Sequence, residues 1–467
     1  MTEILIAAAD QTVIPVHAVR RGDLGALLQR RGPRARAQAA LQAFTAAAGQ
    51  VCLVGRGDGQ VERVLFGLGD AERPNPMLFR ALSAKLPTGD YALAPGLSKI
   101  APLQVAVAWG LGQHAFDRYK PRAERARPRL VTGPGVDLAM ARRITHACAL
   151  ARDMIDSPAN DMGPLQIETI AREIAEAYGA AIGVVTGEDL HDANYPAVHA
   201  VGRAAGPGRA PRMIEISWDG TAGKTDAPLI ALVGKGVVFD TGGLDLKPSS
   251  GMRLMKKDMG GAAHALALGR MIMDAGLPVR LVVLVPAVEN AVSGDAMRPG
   301  DIIASRKGLS IEIGNTDAEG RLILADALAR AAELEPELTL DFATLTGAAR
   351  AALGPQVVPF YTADDDLARR LEGAAARTFD PMWRMPLWPG YAEAVEGDIS
   401  DLRNDPEAWA QAGSVTAALF LQRFAPERGW VHFDIFGWNP KSRGGWPVGA
   451  EAQIIRALYD ELERRYR

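Results

Sequence analysis

The segment "GNTDAEGRL" (314–322) places three charged side chains, Asp317, Glu319 and Arg321, at alternating positions between a strand pattern and a helix pattern. Side chains two residues apart point to the same side of an extended chain and to nearly opposite sides of a helix. We therefore predict that this segment is extended, lies at the carboxyl end of a strand and precedes a helix that starts near Gly320. In open α/β sheets that edge is where ligands bind.

The two carboxylates of this segment repel each other unless a cation lies between them, and Arg321 compensates only one of them. A metal ion is the usual cation in such a place. A surface turn ahead of a helix N-terminus, which favours acidic residues, explains the same letters and stays open on this segment alone.

More candidate ligands lie in residues 233–269, again where strand patterns give way to helix patterns. Asp240 precedes two glycines that allow close backbone approach, and Asp258 precedes a second Gly-Gly pair. Oxygen ligands without cysteine argue against a structural zinc site and for magnesium, manganese or a pair of divalent ions bridged by carboxylates. Lys235 and Lys247 lie in the same stretch; beside a metal, such lysines either lose their proton more easily or stay charged and stabilise an oxyanion.

Histidine and cysteine add no further ligands to this set. The seven histidines are scattered and none lies in an HExxH pattern, so His264 is interpreted as a helix residue packed near the site and the other six as structural. Cys52 and Cys148 lie far apart and lack the spacing of a disulfide framework or a zinc knuckle, which fits a reducing cytoplasm.

The elements that would position these residues follow from length and pattern. A chain of 467 residues is long enough for two domains. Strand and helix patterns alternate throughout, with "LQVAVAWGLG" (103–112) among the predicted strands, so we predict a small N-terminal α/β domain and a larger α/β domain whose central mixed sheet is flanked by helices. A Pro/Arg-rich stretch near residue 135 divides the chain into domains 1–135 and 136–467.

Charge separates the two predicted domains. Residues 1–130 carry 18 Lys and Arg against 10 Asp and Glu, although the whole chain has a net charge of −3. Basic stretches such as "RRGPRAR" (30–36) and "RARPR" (125–129) could attract nucleic acid, but no aromatic residues are interleaved for base stacking, so a solvated surface is the favoured interpretation. The N-terminus does not resemble a secretion signal, and no apolar stretch reaches the roughly 18 residues of a membrane span.

Seven sequence blocks together resemble the cytosol (leucyl) aminopeptidase family. The block "NTDAEGRLILADAL" resembles the signature of that family, and "VGKGVVFDTGG", "LKPS", "MKKDMGGAA", "VPAVEN", "RPGD" and "ATLTGA" resemble its other motifs in the same order. The resemblance covers roughly residues 150–440. It implies a metal-dependent exopeptidase of the cytoplasm that releases N-terminal amino acids from peptides with a free amine, with 136–467 as the catalytic aminopeptidase domain.

The resemblance also implies a role for each matched residue. Lys235, Asp240, Asp258 and Glu319 are similar to the ligands of one divalent ion, and Asp240, Asp317 and Glu319 to those of a second, so that Asp240 and Glu319 would bridge two Mn²⁺ or Zn²⁺ ions. Lys247 and Arg321 are similar to the family's catalytic pair, with Arg321 holding a bicarbonate that serves as general base. Two ions of this kind would activate a bridging water as the nucleophile.

The resemblance further implies a homohexamer, but two segments depart from the family pattern. Residues 404–421, with Trp409 in place of small residues, and residues 437–458 differ, so the preferred N-terminal residue is not predicted. A nucleic-acid-binding regulator is the alternative for an added function of the basic N-terminal domain. A catalytically inactive structural member is disfavoured, since every matched ligand position is intact.

Overall fold

The fold is described from a computed structural model covering residues 4–9, 11–95, 100–120, 127–133, 135–224, 226–406 and 411–467. The chain forms two compact units. The first consists of Met1–Ala149 with Asn439–Val448, and the second of Leu150–Trp438 with Gly449–Arg467. The boundary near residue 135 stays a prediction; no local sequence pattern indicates that a segment close to the C-terminus belongs to the first unit.

The first unit is built on a six-stranded sheet with the order β1-β6-β5-β2-β4-β3, in which only β3 runs antiparallel to its neighbour. Its strands are β1 (Leu5–Ile6), β2 (Val13–Val19), β3 (Val51–Gly55), β4 (Val61–Gly67), β5 (Asp90–Leu93) and β6 (Arg129–Val131). The first helices of the chain are α1 (Leu24–Leu41), α2 (Phe79–Lys85), α3 (Pro102–Gln113) and α4 (Leu138–Asp156).

The strand predicted at residues 103–112 is wrong, because this segment is helix α3. Pro102 occupies the first helical turn, where a missing N–H costs nothing. The helix is buried along most of its length, from Val105 to Leu111. A helix buried on nearly all sides has no polar face, so its hydrophobic pattern cannot be told from that of a buried strand.

The second unit is built on a nine-stranded mixed sheet with the order β16-β15-β18-β14-β9-β11-β8-β7, in which β10 also pairs with β11. A small side sheet has the order β12-β13-β17. The strands are β7 (Ala181–Thr186), β8 (Arg212–Asp219), β9 (Leu229–Gly234), β10 (Gly236–Asp240), β11 (Arg280–Asn290), β12 (Ile302–Ala304), β13 (Ser310–Glu312), β14 (Leu338–Ala343), β15 (Val358–Tyr361), β16 (Met382–Arg384), β17 (Leu402–Arg403), β18 (Trp430–Asp434), β19 (Trp438–Asn439) and β20 (Gly449–Ala450).

Helices flank this sheet, which confirms the predicted fold class. They are α5 (Pro164–Tyr178), α6 (Asp189–Asp192), α7 (Pro196–Gly202), α8 (Ser249–Met252), α9 (Gly260–Ala275), α10 (Gly320–Glu333), α11 (Gly347–Leu353), α12 (Asp365–Thr378), α13 (Gly413–Gln422) and α14 (Ile455–Tyr466). Helices α9 and α10 pack on the central strands and are buried along most of their length, which fixes the start of each helix relative to the sheet. Among the described residues, no helix combines the length and the apolar character needed to cross a membrane.

Candidate metal centre

Five strands of the main sheet run parallel to one another toward the same edge. Strands β9 and β10 both run parallel to β11, β14 runs parallel to β9, and β18 runs parallel to β14. Lys235 directly follows β9, Asp240 is the last residue of β10, and Thr344 follows β14. Because carboxyl ends of parallel strands meet at the same edge, these side chains lie close together.

The segment that carries Asp317 and Glu319 reaches this edge by a different route from the one predicted. It follows β13, which belongs to the small side sheet, and it is not extended: the Ala318 N–H donates to the Asn315 carbonyl (3.2 Å) in a turn, and Glu319 already has helical φ and ψ. The Asn315 side chain accepts from the Asp317 N–H (2.8 Å), which closes the turn locally. The extended prediction was therefore wrong, whereas the helix does begin at Gly320.

Three carboxylates converge at this edge. Asp240, Asp317 and Glu319 each offer an oxygen, and these oxygens lie within 4.8 Å of one another. Burial, followed by the charge of Asp240, raises the pKa of Asp317 to about 6 and that of Glu319 to about 8. Ionisation of these carboxyl groups is therefore unfavourable, and a bound cation would stabilise their charged forms.

Two lysines stand beside these carboxylates. Lys235 Nζ lies 2.6 Å from Asp258 Oδ2 and 3.0 Å from Glu319 Oε1, and Lys247 Nζ lies 2.9 Å from Asp240 Oδ2 and also contacts Asp317. Burial alone lowers the pKa of each lysine, but the surrounding acids outweigh burial and raise both pKa values above their usual range. Without a metal, these ammonium groups are the counter-ions of the cluster.

Two buried oxygens of the cluster, Asp258 Oδ2 and Glu319 Oε1, have the Lys235 ammonium as their counter-ion. The other Asp258 oxygen accepts from the Thr344 hydroxyl (2.7 Å). Four carboxylates, Asp240, Asp258, Asp317 and Glu319, thus share two ammonium groups, and a bound cation would balance the remaining negative charge. The residues present therefore fit a metal centre made of hard oxygen ligands.

Asn290 holds the Asp240 carboxylate in place, and sequence reasoning did not single it out. Its side-chain amide donates to Asp240 Oδ1 (2.8 Å) and to the Thr316 carbonyl (3.1 Å), and the Gly242 N–H donates to the same Asp240 oxygen (2.9 Å). Asn290 is the last residue of β11 and closes the block "VPAVEN". The sequence signal that could have indicated this role was an amide residue at the end of an apolar strand pattern.

Arg321 lies on the first turn of α10 and lines the same cavity as Lys235 and Asp317. Its Nη1 donates to the Asn404 carbonyl (2.7 Å), while its buried Nε has no partner among the described residues. The Asn404 side chain accepts from the Gly314 N–H (2.8 Å) and donates to the Asn315 carbonyl (2.7 Å), so Asn404 fixes the turn that carries Asp317. Nothing in the sequence around Asn404 indicated this role.

The helix start at Gly320 also fixes Lys235. A Cβ added to Gly320 would lie 2.5 Å from Lys235 Cε and 2.7 Å from its Nζ. A larger residue at position 320 would therefore displace the end of the Lys235 side chain from Asp258 and Glu319, which it contacts.

The cavity at this edge has a volume of about 510 Å³. Lys235, Asp240, Lys247, Asp258, Asp317 and Arg321 all line it, with Glu319 buried beside them. The structure thus brings together all seven residues of the predicted site. His264 is not among them: its Nδ1 lies 2.6 Å from the Gly260 carbonyl, and its Nε2 accepts from the Gln453 N–H (2.9 Å), so both ring nitrogens are occupied inside the fold.

Both segments that depart from the family pattern contribute residues to the cavity wall. Asp405 and Gly413 from 404–421 and Gln453 from 437–458 line the cavity. Trp409 lies outside the described residues. The influence of these segments on substrate preference stays a prediction.

Buried carboxylates and lysines gathered at the carboxyl ends of strands in a mixed α/β sheet are the kind of site that holds divalent ions in metal-dependent hydrolases. A family model described as "Cytosol aminopeptidase family, catalytic domain" matches residues 149–459, and one described as "M17 aminopeptidase, N-terminal domain" matches residues 14–132. The chain belongs to the cytosol aminopeptidase family and is an aminopeptidase, which confirms the resemblance seen in the sequence.

Individual relatives agree with this assignment. The chain is 42% identical to a probable cytosol aminopeptidase of Syntrophotalea carbinolica, over 76% of this chain and 73% of the relative. The crystal structure of the cytosol aminopeptidase from Coxiella burnetii superposes with a TM-score of 0.92 at 39% identity and covers 99% of this chain and 100% of that one. The bottromycin maturation enzyme BotP in complex with Mn superposes with a TM-score of 0.84 at 32% identity, covering 97% and 99%.

Proposed function

We propose that this aminopeptidase removes N-terminal residues from peptides by means of two divalent metal ions. Lys235, Asp240, Asp258 and Glu319 would hold one ion, and Asp240, Asp317 and Glu319 the other. The observation that carries the proposal is the convergence of Asp240, Asp317 and Glu319, whose oxygens lie within 4.8 Å of one another, with the buried Asp258 carboxylate beside them. Mn²⁺ or Zn²⁺ suits this ligand set, and BotP was solved with Mn.

When bound, two such ions would acidify a water that bridges them and would bind the free amine of the peptide, which limits cleavage to the first residue. Lys235 must give up its proton to act as a ligand, so binding of the first ion would be coupled to proton release. Asn290 holds the Asp240 carboxylate and burial holds that of Glu319, so both are fixed where each would serve as a ligand of both ions.

Lys247 and Arg321 would act on the substrate. Lys247 is a cation at the cavity wall, placed to donate to the oxygen that becomes negative in the tetrahedral intermediate. Arg321 is anchored through Nη1 and has an unpartnered Nε, which leaves donors for a planar anion such as bicarbonate. That bicarbonate would accept the proton of the attacking water as general base.

The proposal extends to assembly and location. A homohexamer is proposed from the family resemblance. The relatives are named cytosol aminopeptidases, and we extend a cytoplasmic location to this chain on that basis. Nucleic-acid binding by the basic N-terminal domain stays a less favoured alternative, and a filter-binding assay with a steep salt dependence would support it.

Glu319→Ala tests the two-ion proposal. Since Glu319 would contribute to both ions, the variant should bind about one ion fewer per chain by mass spectrometry of metals and should lose nearly all turnover of leucyl p-nitroanilide. Glu333→Gln, at the far end of the same helix and 43% exposed, is the matched control and should change neither quantity. Full turnover by Glu319→Ala with its fold intact would overturn the two-ion proposal.

A further inference from the structure

One wall of the active-site cavity carries two basic side chains that the proposed metal chemistry does not use. Arg350 and Lys257 both line the cavity, and both lie against the ring of Phe436: Arg350 Cζ is 5.0 Å and Lys257 Nζ 5.4 Å from its centroid. Phe436 itself lines the cavity. Both side chains lie over the ring as cations and keep N–H donors that the ring cannot satisfy, so this wall is suited to a negatively charged group.

Within the described part of the chain, neither basic group has a committed acidic partner. Arg350 forms no ion pair or side-chain hydrogen bond there, and its side chain is exposed to the cavity. Lys257 is only 6% exposed, its Nζ forms no hydrogen bond with a described residue, and its nearest carboxylate oxygen, on Asp258, is 3.8 Å away. The long distance to Asp258 leaves the N–H donors of Lys257 available to a ligand in the cavity that it lines.

The acids near this wall are occupied elsewhere. Asp434 accepts from the N–H groups of Leu345 (3.0 Å) and Thr346 (3.1 Å) and from the Thr346 hydroxyl (2.6 Å), so its oxygens are already satisfied. Asp405 lines the cavity and acts electrostatically on Arg321. Asp258 faces Lys235 at 2.6 Å. The basic wall is therefore not neutralised by the residues around it.

We propose that Arg350 and Lys257, with Phe436 between them, form a subsite for a carboxylate of the peptide substrate. The inference rests on the proposed function, since the substrate must lie in this cavity with its free amine at the acidic cluster. The carboxylate has two sources in a short peptide: the side chain of an acidic first residue, or the C-terminal carboxylate of a dipeptide. Both present two oxygens to the guanidinium fork of Arg350.

Two pairs of matched substrates separate these sources. Glutamyl and glutaminyl p-nitroanilide differ only in the side-chain charge, and leucylglycine and leucylglycinamide differ only in the terminal charge. For the wild type we expect kcat/KM to be about tenfold higher for the charged member of one pair, which is the effect of one charge-assisted hydrogen bond. The pair that shows this preference identifies whether the bound carboxylate is the side chain of the first residue or the C-terminus of a dipeptide. Arg350→Ala should lower that ratio about tenfold. Arg369→Ala, an exposed arginine paired with Asp366 on α12 and outside the cavity, should not change it.

A binding measurement keeps the subsite and the peptidase activity distinguishable. Isothermal titration of L-glutamate, L-glutamine and a leucylglycine analogue whose peptide bond is replaced by CH2–NH reports the carboxylate preference of the Mn²⁺-loaded protein without turnover. Arg350→Ala should weaken the binding of glutamate or of this analogue selectively. If leucyl p-nitroanilide is cleaved but neither the kinetic ratios nor the affinities respond to Arg350→Ala, the subsite is refuted while the aminopeptidase mechanism stands. If no substrate is cleaved, the proposed mechanism fails and the titration alone decides on the subsite.

Discussion

Asn290 offers a direct test of how the proposed metal centre is positioned, because its side chain contacts the Asp240 carboxylate and is not itself one of the proposed ligands. Asn290→Ala removes the donor to Asp240 Oδ1 (2.8 Å) and the donor to the Thr316 carbonyl (3.1 Å) in one step. A hydrogen bond to a charged group contributes about 1.5–3 kcal/mol, and about 1.4 kcal/mol corresponds to a factor of ten in an equilibrium constant. We therefore expect Mn²⁺ to bind about 10- to 100-fold more weakly, the range found when a residue that orients a metal ligand is removed.

The assay is titration calorimetry with Mn²⁺, together with urea unfolding of the metal-free protein. Unfolding free energy should also fall by about 1–3 kcal/mol, because the Thr316 carbonyl is left without its donor. Asn439→Ala is the matched control: Asn439 is 6% exposed and its amide likewise donates to two carbonyls, those of Trp446 and Pro447, far along the chain from the ligands. It should lose stability but keep its metal affinity. An Asn290→Ala protein that binds Mn²⁺ within twofold of the wild type would refute the positioning role.

Further predictions concern the anion site, pH and assembly. Arg321→Ala should lower kcat with metal content unchanged, and added bicarbonate should recover part of the loss; a variant that loses metal would instead assign Arg321 to the structure of the site. Burial lowers the pKa of His264 to about 4, so between pH 6.5 and 4 the unfolded chain binds the proton more readily than the folded chain. The free energy of unfolding should therefore decrease by up to about 3 kcal/mol as the pH is lowered from 6.5 to 4. Urea unfolding of His264→Gln should show a shallower pH dependence than that of the wild type. Light scattering at assay concentration should give a mass near six times 49.7 kDa, and a fully active monomer would contradict the hexamer.

The four acidic residues of the candidate site could be singled out from the sequence because each lies where a strand pattern gives way to a helix pattern, whereas the roles of Lys235, Lys247 and Arg321 came only from the family resemblance. Asp240 ends an apolar strand, and Glu319 immediately precedes the helix that begins at Gly320. Such junctions are visible without knowing the fold. The path of the chain between them was not visible: the Asn315 side chain turns the segment that alternation alone predicted to be extended.

Contacts between distant parts of the chain account for most of what the sequence did not reveal. Asn404 supports the Asp317 turn through bonds to residues some ninety positions earlier, and Arg350 becomes part of the cavity only because α11 follows β14 at the same sheet edge as β9. Periodicity reports which face of an element is buried, but not which element covers it. Helix α3 shows a different limit. Because it is buried on nearly all sides, its sequence lacks the separate apolar and polar faces by which a helix is recognised.

The glycine at position 320 has a consequence for any survey of variants. It carries no charge and makes no bond to a substrate, yet any other residue there would collide with the methylene chain of Lys235. In a saturation mutagenesis screen scored by peptide hydrolysis, position 320 should therefore lose activity already with alanine, since the first added carbon displaces the end of the Lys235 side chain from Asp258 and Glu319. A screen read by intolerance alone would count this position among the catalytic residues. Only a companion screen scored by abundance of folded protein would show that its role is to leave space.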